Sequence, residues 1–279
     1  MKSIGVGNHS HRVDLHKDER FINKLIKSNI LLPIVGFIIV IGLWEGITSG
    51  FKIKTYIFPS PRLIALAVFN DGYYSILLRH ACVTVVEALS GYLIGVVAGF
   101  LMGILFAQSR YARLTFLPYV VASTTVPIIA FAPVVIIWFG TGILSKVVIV
   151  AFLTFFPICL GTMKGVLSTD RVLKDLFHCY AANRFQTFMK LELTYALPFI
   201  FTTLRLTTPT AVIGAIVAEF VAANEGLGYL TVRNWYVLNM PRLWATILVA
   251  CFSGIVIYLV MSAIERRATP WHESTEGEK

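Results

Sequence analysis

The residues best suited to acid–base chemistry are His178, Asp175 and Glu192, which share one polar stretch. No nucleophilic or metal-ligating constellation accompanies them, which argues against an active site. A phosphate loop of the form G-x-x-x-x-G-K-[ST] is absent, so the chain shows no means of cradling ATP phosphates with backbone amides. Cys82, Cys159, Cys179 and Cys251 are scattered without CxxC or Cys/His spacing and read as small packing residues. Glu45, Glu87, Arg205 and Glu219 fall near the ends of apolar runs, where a charge can reach water or headgroups. Glu87 and Glu219 are expected near the outer surface. There they either line an entry or meet an external protein, or else serve as interfacial charges with local hydrogen bonds.

The elements that position these residues are apolar. The chain is 57% hydrophobic and 14% charged, with a mean hydropathy of +0.75. That combination excludes a soluble protein of this size and leaves a bilayer as the natural solvent. Runs near the length of about 20 residues that a hydrocarbon core demands centre on 30–47, 81–107, 114–139, 147–163, 196–222 and 243–264. They predict an all-α integral membrane protein of about six transmembrane helices. Residues 1–29 form an amino-terminal tail, 30–265 the transmembrane domain and 266–279 a carboxyl-terminal tail. The polar, basic start lacks the early apolar core of a cleaved signal.

Lys and Arg set the orientation. Sixteen fall in the two tails and the loops 108–113 and 164–195, against seven on the other side. The positive-inside rule then places both termini in the cytoplasm. The net charge of +9 has the same origin and does not call for nucleic acid. The amphipathic run from Pro61 to His80 is expected along the interface rather than across the membrane.

Gly91, Gly95, Gly99 and Gly103 recur every four residues in the second span, so they share one helix face. A glycine stripe lets two backbones approach closely in lipid. The fifth span offers a matching small-residue surface in Ala211, Gly214, Ala215, Ala218 and Ala222. Pro127 and Pro133 in the third span each remove a backbone donor. The resulting irregularity is either a packing kink or the wall of a solute path.

The polar stretch 164–195 is longer than an ordinary connection. Candidate caps at Ser168, Thr169 and Asp170 precede an amphipathic helix. Val172, Leu173, Leu176, Phe177 and Tyr180 occupy one face, with Arg171, Lys174, Asp175 and His178 on the other. After a break at Ala181, Ala182 and Asn183, a second short helix bearing Phe185, Phe188 and Met189 runs toward Pro198, which suits the first turn of span five. Such a pair of helices suits docking into a partner's groove or lying in the lipid interface.

The stretch Leu173 to Leu204, with YAANRFQTFMKLELTYALPFIF at its centre, resembles the signature loop of binding-protein-dependent ABC importer permeases. PIIAFAPVVIIWFGTGILSK, VAEFVAANEGLGYL and RRATPWH are similar to the nitrate/sulfonate/taurine branch of that family, and the likeness covers about Pro59 to His272. Asp175 stands where the signature has glutamate, Leu176 and Phe177 where it has alanines, and Ala181 where it has glycine.

The resemblance implies a type I importer fold and a permease, not an enzyme. It carries a small solute, with a sulfonate, taurine or nitrate favoured and a vitamin precursor as the alternative. The expected partners are a pair of ABC ATPases, an extracytoplasmic solute-binding protein, a second permease copy and the lipid bilayer of the bacterial inner membrane. No cofactor is expected on this chain, since ATP and Mg are used by the ATPase. Coupling to that ATPase is expected through Leu173, Lys174, Asp175, Leu176, Phe177, His178, Ala181, Ala182, Asn183 and Arg184. Pro127, Phe131, Pro133 and Glu219 are expected along the path. A secondary transporter is the rival reading, and it lacks the mid-span acid or histidine that ion coupling would use.

Overall fold

A computed structural model describes residues 31–270, which are helical with no strand among them. The tail 1–29 and the last nine residues of the tail 266–279 lie outside the described residues. The chain divides into two compact units, Met1–Leu66 and Ala67–Lys279.

In the first unit, α1 (Leu31–Gly50) is apolar throughout and long enough to cross a membrane. Glu45 Oε2 accepts the Arg62 N–H (3.1 Å) in the first turn of α2 (Pro61–Phe69), where a carboxylate complements the exposed amides. The Trp44 and Phe58 rings stack at 5.2 Å across the same turn.

In the second unit, α3 (Tyr73–Gln108) follows a 3-10 turn at Asn70–Gly72, whose Gly72 takes φ +66°. At 36 residues α3 spans about 54 Å, longer than the hydrocarbon core. The run from Pro61 to His80 is not one helix: Pro61–Phe69 is α2, and Tyr73–His80 is the first part of α3.

The third span is a bent pair, α4 (Arg110–Ser123) and α5 (Ile128–Phe139), meeting at 102°. The break lies where Pro127 has no N–H to donate and disfavours helix in the residue before it. Hydroxyls of Ser123, Thr124 and Thr125 donate to the carbonyls of Tyr119, Val121 and Ala122, satisfying the end of α4 from within. Pro133 sits inside α5.

Three more long helices follow: α6 (Ile143–Leu167), α8 (Arg184–Ala222) and α10 (Met240–Ala268). The short helix α7 (Arg171–Cys179) lies between α6 and α8, and α9 (Leu227–Tyr236) between α8 and α10. Among the described residues five helices are thus long and apolar enough to span, six with the bent pair counted as one crossing.

The core is built around α6, which packs along α3 on one flank and α8 on another. The glycine stripe of α3 meets α6 and not the fifth span. A Cβ on Gly91 would lie 2.6 Å from Val147 O, on Gly95 2.8 Å from Ala151 O, on Gly99 2.7 Å from Phe155 O, and on Gly103 2.7 Å from Cys159 O. Glycines at four-residue spacing thus face carbonyls at the same spacing, in constant register along two helices running the same way. The small residues of α8 serve the same centre: Ala211 and Ala215 pack with Ala88, Tyr92 and Val150, and Ala218 with Ala132, Val135 and Ile149.

Candidate functional site

The loop joining α6 to α8 is shorter than its polarity suggests, because α6 continues to Leu167 and α8 already begins at Arg184. Of the three candidate caps, Asp170 is the one that caps α7, its carboxylate accepting the Val172 N–H at 3.0 Å. Ser168 instead donates to Gly165 O (2.7 Å) and closes α6.

At the far end of α7, Ala182 N–H donates to Phe177 O (3.0 Å) and Ala181 N–H to His178 O (2.9 Å), the paired bonds of a Schellman cap. The cap puts Ala181 at φ +53°, a left-handed conformation that glycine adopts without strain. This is the position at which the resembling signature carries glycine.

Asn183 then opens α8 with a capping box. Its Oδ1 accepts the Gln186 N–H at 2.8 Å, and its N–H donates to Gln186 Oε1 at 2.9 Å. No separate second short helix forms, since the chain continues from Arg184 through a π turn at Phe188–Glu192 into the fifth span. Pro198 consequently lies inside α8 rather than in its first turn.

The apolar face of α7 is divided. Leu173 and Phe177 are half-buried, whereas Val172 (71% exposed), Leu176 (47%) and Tyr180 (79%) form an outward ridge. Phe185 (71%) and Met189 extend the exposed apolar surface onto α8. Asp175 and His178 are exposed beside the ridge, and Lys174 turns inward. A shallow cavity of about 270 Å³ opens among Phe177, Tyr180, Ala182, Gln186 and Lys190.

Lys174 Nζ pairs with Glu192 Oε1 at 2.7 Å, and Gln108 Nε2 donates to Glu192 Oε2 at 2.8 Å. Arg184 Nη2 donates to Gln108 O at 3.2 Å. The ends of α3 and α8 and the body of α7 are thereby tied together. Sequence reasoning singled out Lys174 and Arg184 but missed Gln108, and considered Glu192 only as an acid. Their meeting depends on how α3 ends beside α8, which no local spacing reveals.

At the opposite end of the bundle, Glu219 is 2% exposed and joined to three elements. Its Oε1 accepts from Thr84 Oγ1 (2.7 Å) and its Oε2 from Gly228 N–H (2.5 Å), while Thr84 Oγ1 also accepts the Leu227 N–H (2.8 Å). His80 Nδ1 accepts the Gly226 N–H (2.8 Å), and Gly226 holds φ +108° with no room for a Cβ beside the Glu219 carboxylate. Glu87 is buried beside Glu219 and within electrostatic reach of Lys146. A neighbouring cleft of about 450 Å³ is bordered by Cys82, Glu87, Lys146, Asn224 and Glu225. Glu219 does not line it; in this conformation it fastens the 224–228 loop to α3.

Of the other residues expected along a path, Phe131 packs at the edge of the cluster that contains Ala218, one residue before Glu219. Pro127 starts α5, and Phe131 stacks on Phe152 at 5.1 Å. Arg205 pairs with Glu265 at 3.0 Å, an acid that sequence reasoning passed over because it lies near the end of α10. Among the described residues no cluster of metal-ligating side chains occurs.

Residues 95–270 match the family of binding-protein-dependent transport system inner membrane components. The chain is 34% identical to the formylaminopyrimidine transport permease protein ThiX of Halalkalibacterium halodurans, over 87% of this chain and 96% of that one. It is 30% identical to the riboflavin transport system permease protein RibX of Chloroflexus aurantiacus (87% and 90%). It is 28% identical to the putative aliphatic sulfonates transport permease protein SsuC of Bacillus subtilis (89% and 88%). An inward-facing structure of the MetNI methionine ABC transporter shares the fold, with a TM-score of 0.64 at 19% identity, covering 72% of this chain and all of that one. The family match over more than half of the chain, together with the five helices among the described residues that are long and apolar enough to span, makes this chain a member of the binding-protein-dependent transport system inner membrane components, the permeases of ABC importers.

Proposed function

We propose that this permease, paired with a second copy, forms the path of a small solute across the bacterial inner membrane and takes its driving force from a separate pair of ABC ATPases. The loop bearing α7 lies on the cytoplasmic side with both termini, and an extracytoplasmic binding protein delivers the solute to the other face. The observation that supports this reading is the ridge of Val172, Leu176 and Tyr180. It is an exposed apolar strip on a helix capped at both ends and ion-paired to the bundle. A docking helix has to be presented rigidly if a partner's movement is to reach the spans.

In this reading the bend at Pro127, with Phe131 and Pro133 behind it, borders the path, where irregular backbone meets water rather than lipid. Alternation between two packings needs a bias of a few kcal/mol, within what ATPase closure supplies. For the solute we favour a nitrogen heterocycle of the vitamin-precursor class. Support comes from the 34% identity to a formylaminopyrimidine permease and the 30% identity to a riboflavin permease. The sulfonate reading rests on relatives such as SsuC at 28%.

Cys179 lies on α7 and is exposed, while Cys159 is buried. With Cys82 and Cys251 replaced by serine, a short bifunctional maleimide should join Cys179 to the ATPase in the assembled complex, and the yield should change with ATP. An intact complex that gives no crosslink overturns docking at α7. Uptake assays with the partner binding protein, comparing a labelled aminopyrimidine with taurine, decide the solute class.

A further inference from the structure

We infer that Glu192 is the joint through which displacement of α7 is delivered to α3 and α8 together. The inference rests on the docking of an ATPase at α7 proposed above. The two carboxylate oxygens of Glu192 serve different elements, Oε1 taking Lys174 of α7 and Oε2 taking Gln108 at the end of α3, while its backbone belongs to α8. Arg184 closes the arrangement from the first turn of α8 by donating to Gln108 O.

Among the described residues, Lys174–Glu192 is the one side-chain ion pair or hydrogen bond that joins α7 to the spans. On the same helix Leu173 and Phe177 are half-buried. Apolar contacts are non-directional and allow one helix to slide over another, whereas a charge-assisted bond fixes distance and direction. The Glu192 side chain is 14% exposed and that of Lys174 33%, so water screens this pair less than a surface pair.

The backbone points to the same residue. The π turn Phe188–Glu192 ends on Glu192, inserting extra chain into α8 and re-aiming the side chains on either side of it. Within that turn Leu191 is buried, while Glu192 faces Gln108 and Lys174. Glu192 is a positioning residue: it touches neither solute nor nucleotide but sets how α7 and the spans move as one.

The test uses the whole complex of permease, ATPase and binding protein in proteoliposomes. Its readout is independent of the solute's identity: the rate at which a membrane-impermeant maleimide labels Cys82, with and without ATP and vanadate. Cys82 is exposed and borders the outer cleft, and Cys179 and Cys251 are replaced by serine. The nucleotide-dependent change in labelling should fall to about a tenth in Lys174→Glu and in Glu192→Lys. It should return in the doubly swapped variant, where the Gln108 amide can reverse and accept.

ATPase co-purification, measured on each variant, separates the two readings. Retained ATPase with an unchanged labelling response in the single variants overturns the role of Glu192 alone. Failure of the double swap to recover overturns it as well. Absence of ATPase binding at α7 in the unmutated complex overturns the docking reading and this one with it. If a swapped variant does not fold, Glu192→Gln keeps the Gln108 contact and loses only the ion pair; a full response there counts against the proposal.

Discussion

Thr84 and Glu219, 135 residues apart in sequence, meet at 2.7 Å between α3 and α8, and Thr84 also receives the amide hydrogen of Leu227. Thr84→Val keeps the shape and removes both functions. It leaves a buried N–H and a buried carboxylate oxygen without that partner, and the loss should be about 1–3 kcal/mol. Glu219→Gln should cost less than Glu219→Ala, because an amide can still accept from Gly228 and donate to Thr84. Thermal unfolding of the purified protein in detergent measures the order. Equal melting temperatures for Glu219→Ala and the unmutated protein would contradict the fastening role.

The contact between α3 and α6 makes a sharper distinction among glycines. In Gly99→Ala the new Cβ meets Phe155 O and Cys159 N, both backbone atoms that cannot move alone. The helices must separate, at about 1–3 kcal/mol. Gly254→Ala in α10 meets nothing within 4 Å and should be neutral or slightly stabilising, since alanine favours helix. The difference between the two melting temperatures is the measurement.

Ala181 tests the cap of α7. Its left-handed backbone costs a residue with a Cβ about 1–2 kcal/mol. Ala181→Gly removes that strain and loses part of the gain to chain entropy in the unfolded state, for a net stabilisation of about 0.5 kcal/mol. Ala181→Val should weaken the cap by more than that. Hydrogen exchange at the Ala182 amide, which closes the Schellman cap on Phe177 O, reports both: slower in Gly, faster in Val.

Arg205 and Glu265 join α8 to α10, and the Glu265 side chain is only 4% exposed. Arg205→Met strands that carboxylate and should cost about 3–5 kcal/mol. Arg205→Met combined with Glu265→Leu should recover much of the loss, because no buried charge is left unpaired. A double-mutant cycle on unfolding free energies gives the coupling directly; an additive result would mean the pair contributes nothing.

Part of this molecule could be read from spacing alone. The membrane spans followed from the length of apolar runs, and the close approach at Gly91, Gly95, Gly99 and Gly103 from four-residue periodicity. Asp170 and Asn183 were legible as cap or break because capping is settled within a few residues. The face of α7 was legible only as amphipathic. Its apolar residues Val172, Leu173, Leu176, Phe177 and Tyr180 share one face suited to a partner's groove or the lipid interface, and the structure divides that face, turning two of them inward and leaving three exposed. A helix at the edge of a bundle has one flank covered, and periodicity does not say which.

The sequence by itself determined that this chain lives in a bilayer, about how many times it can cross, that its third crossing is irregular near Pro127 or Pro133, and which helix can be approached closely. Those properties depend on hydrophobic length, on missing amide hydrogens and on missing Cβ atoms, all of them local. Only the tertiary structure decided that the glycine stripe belongs to α6, that Glu219 fastens a loop to α3, and that Glu192 joins α7 to two spans. These are pairings between residues far apart in the chain, chosen by the packing of whole helices, and a stripe or a lone carboxylate carries no record of its partner.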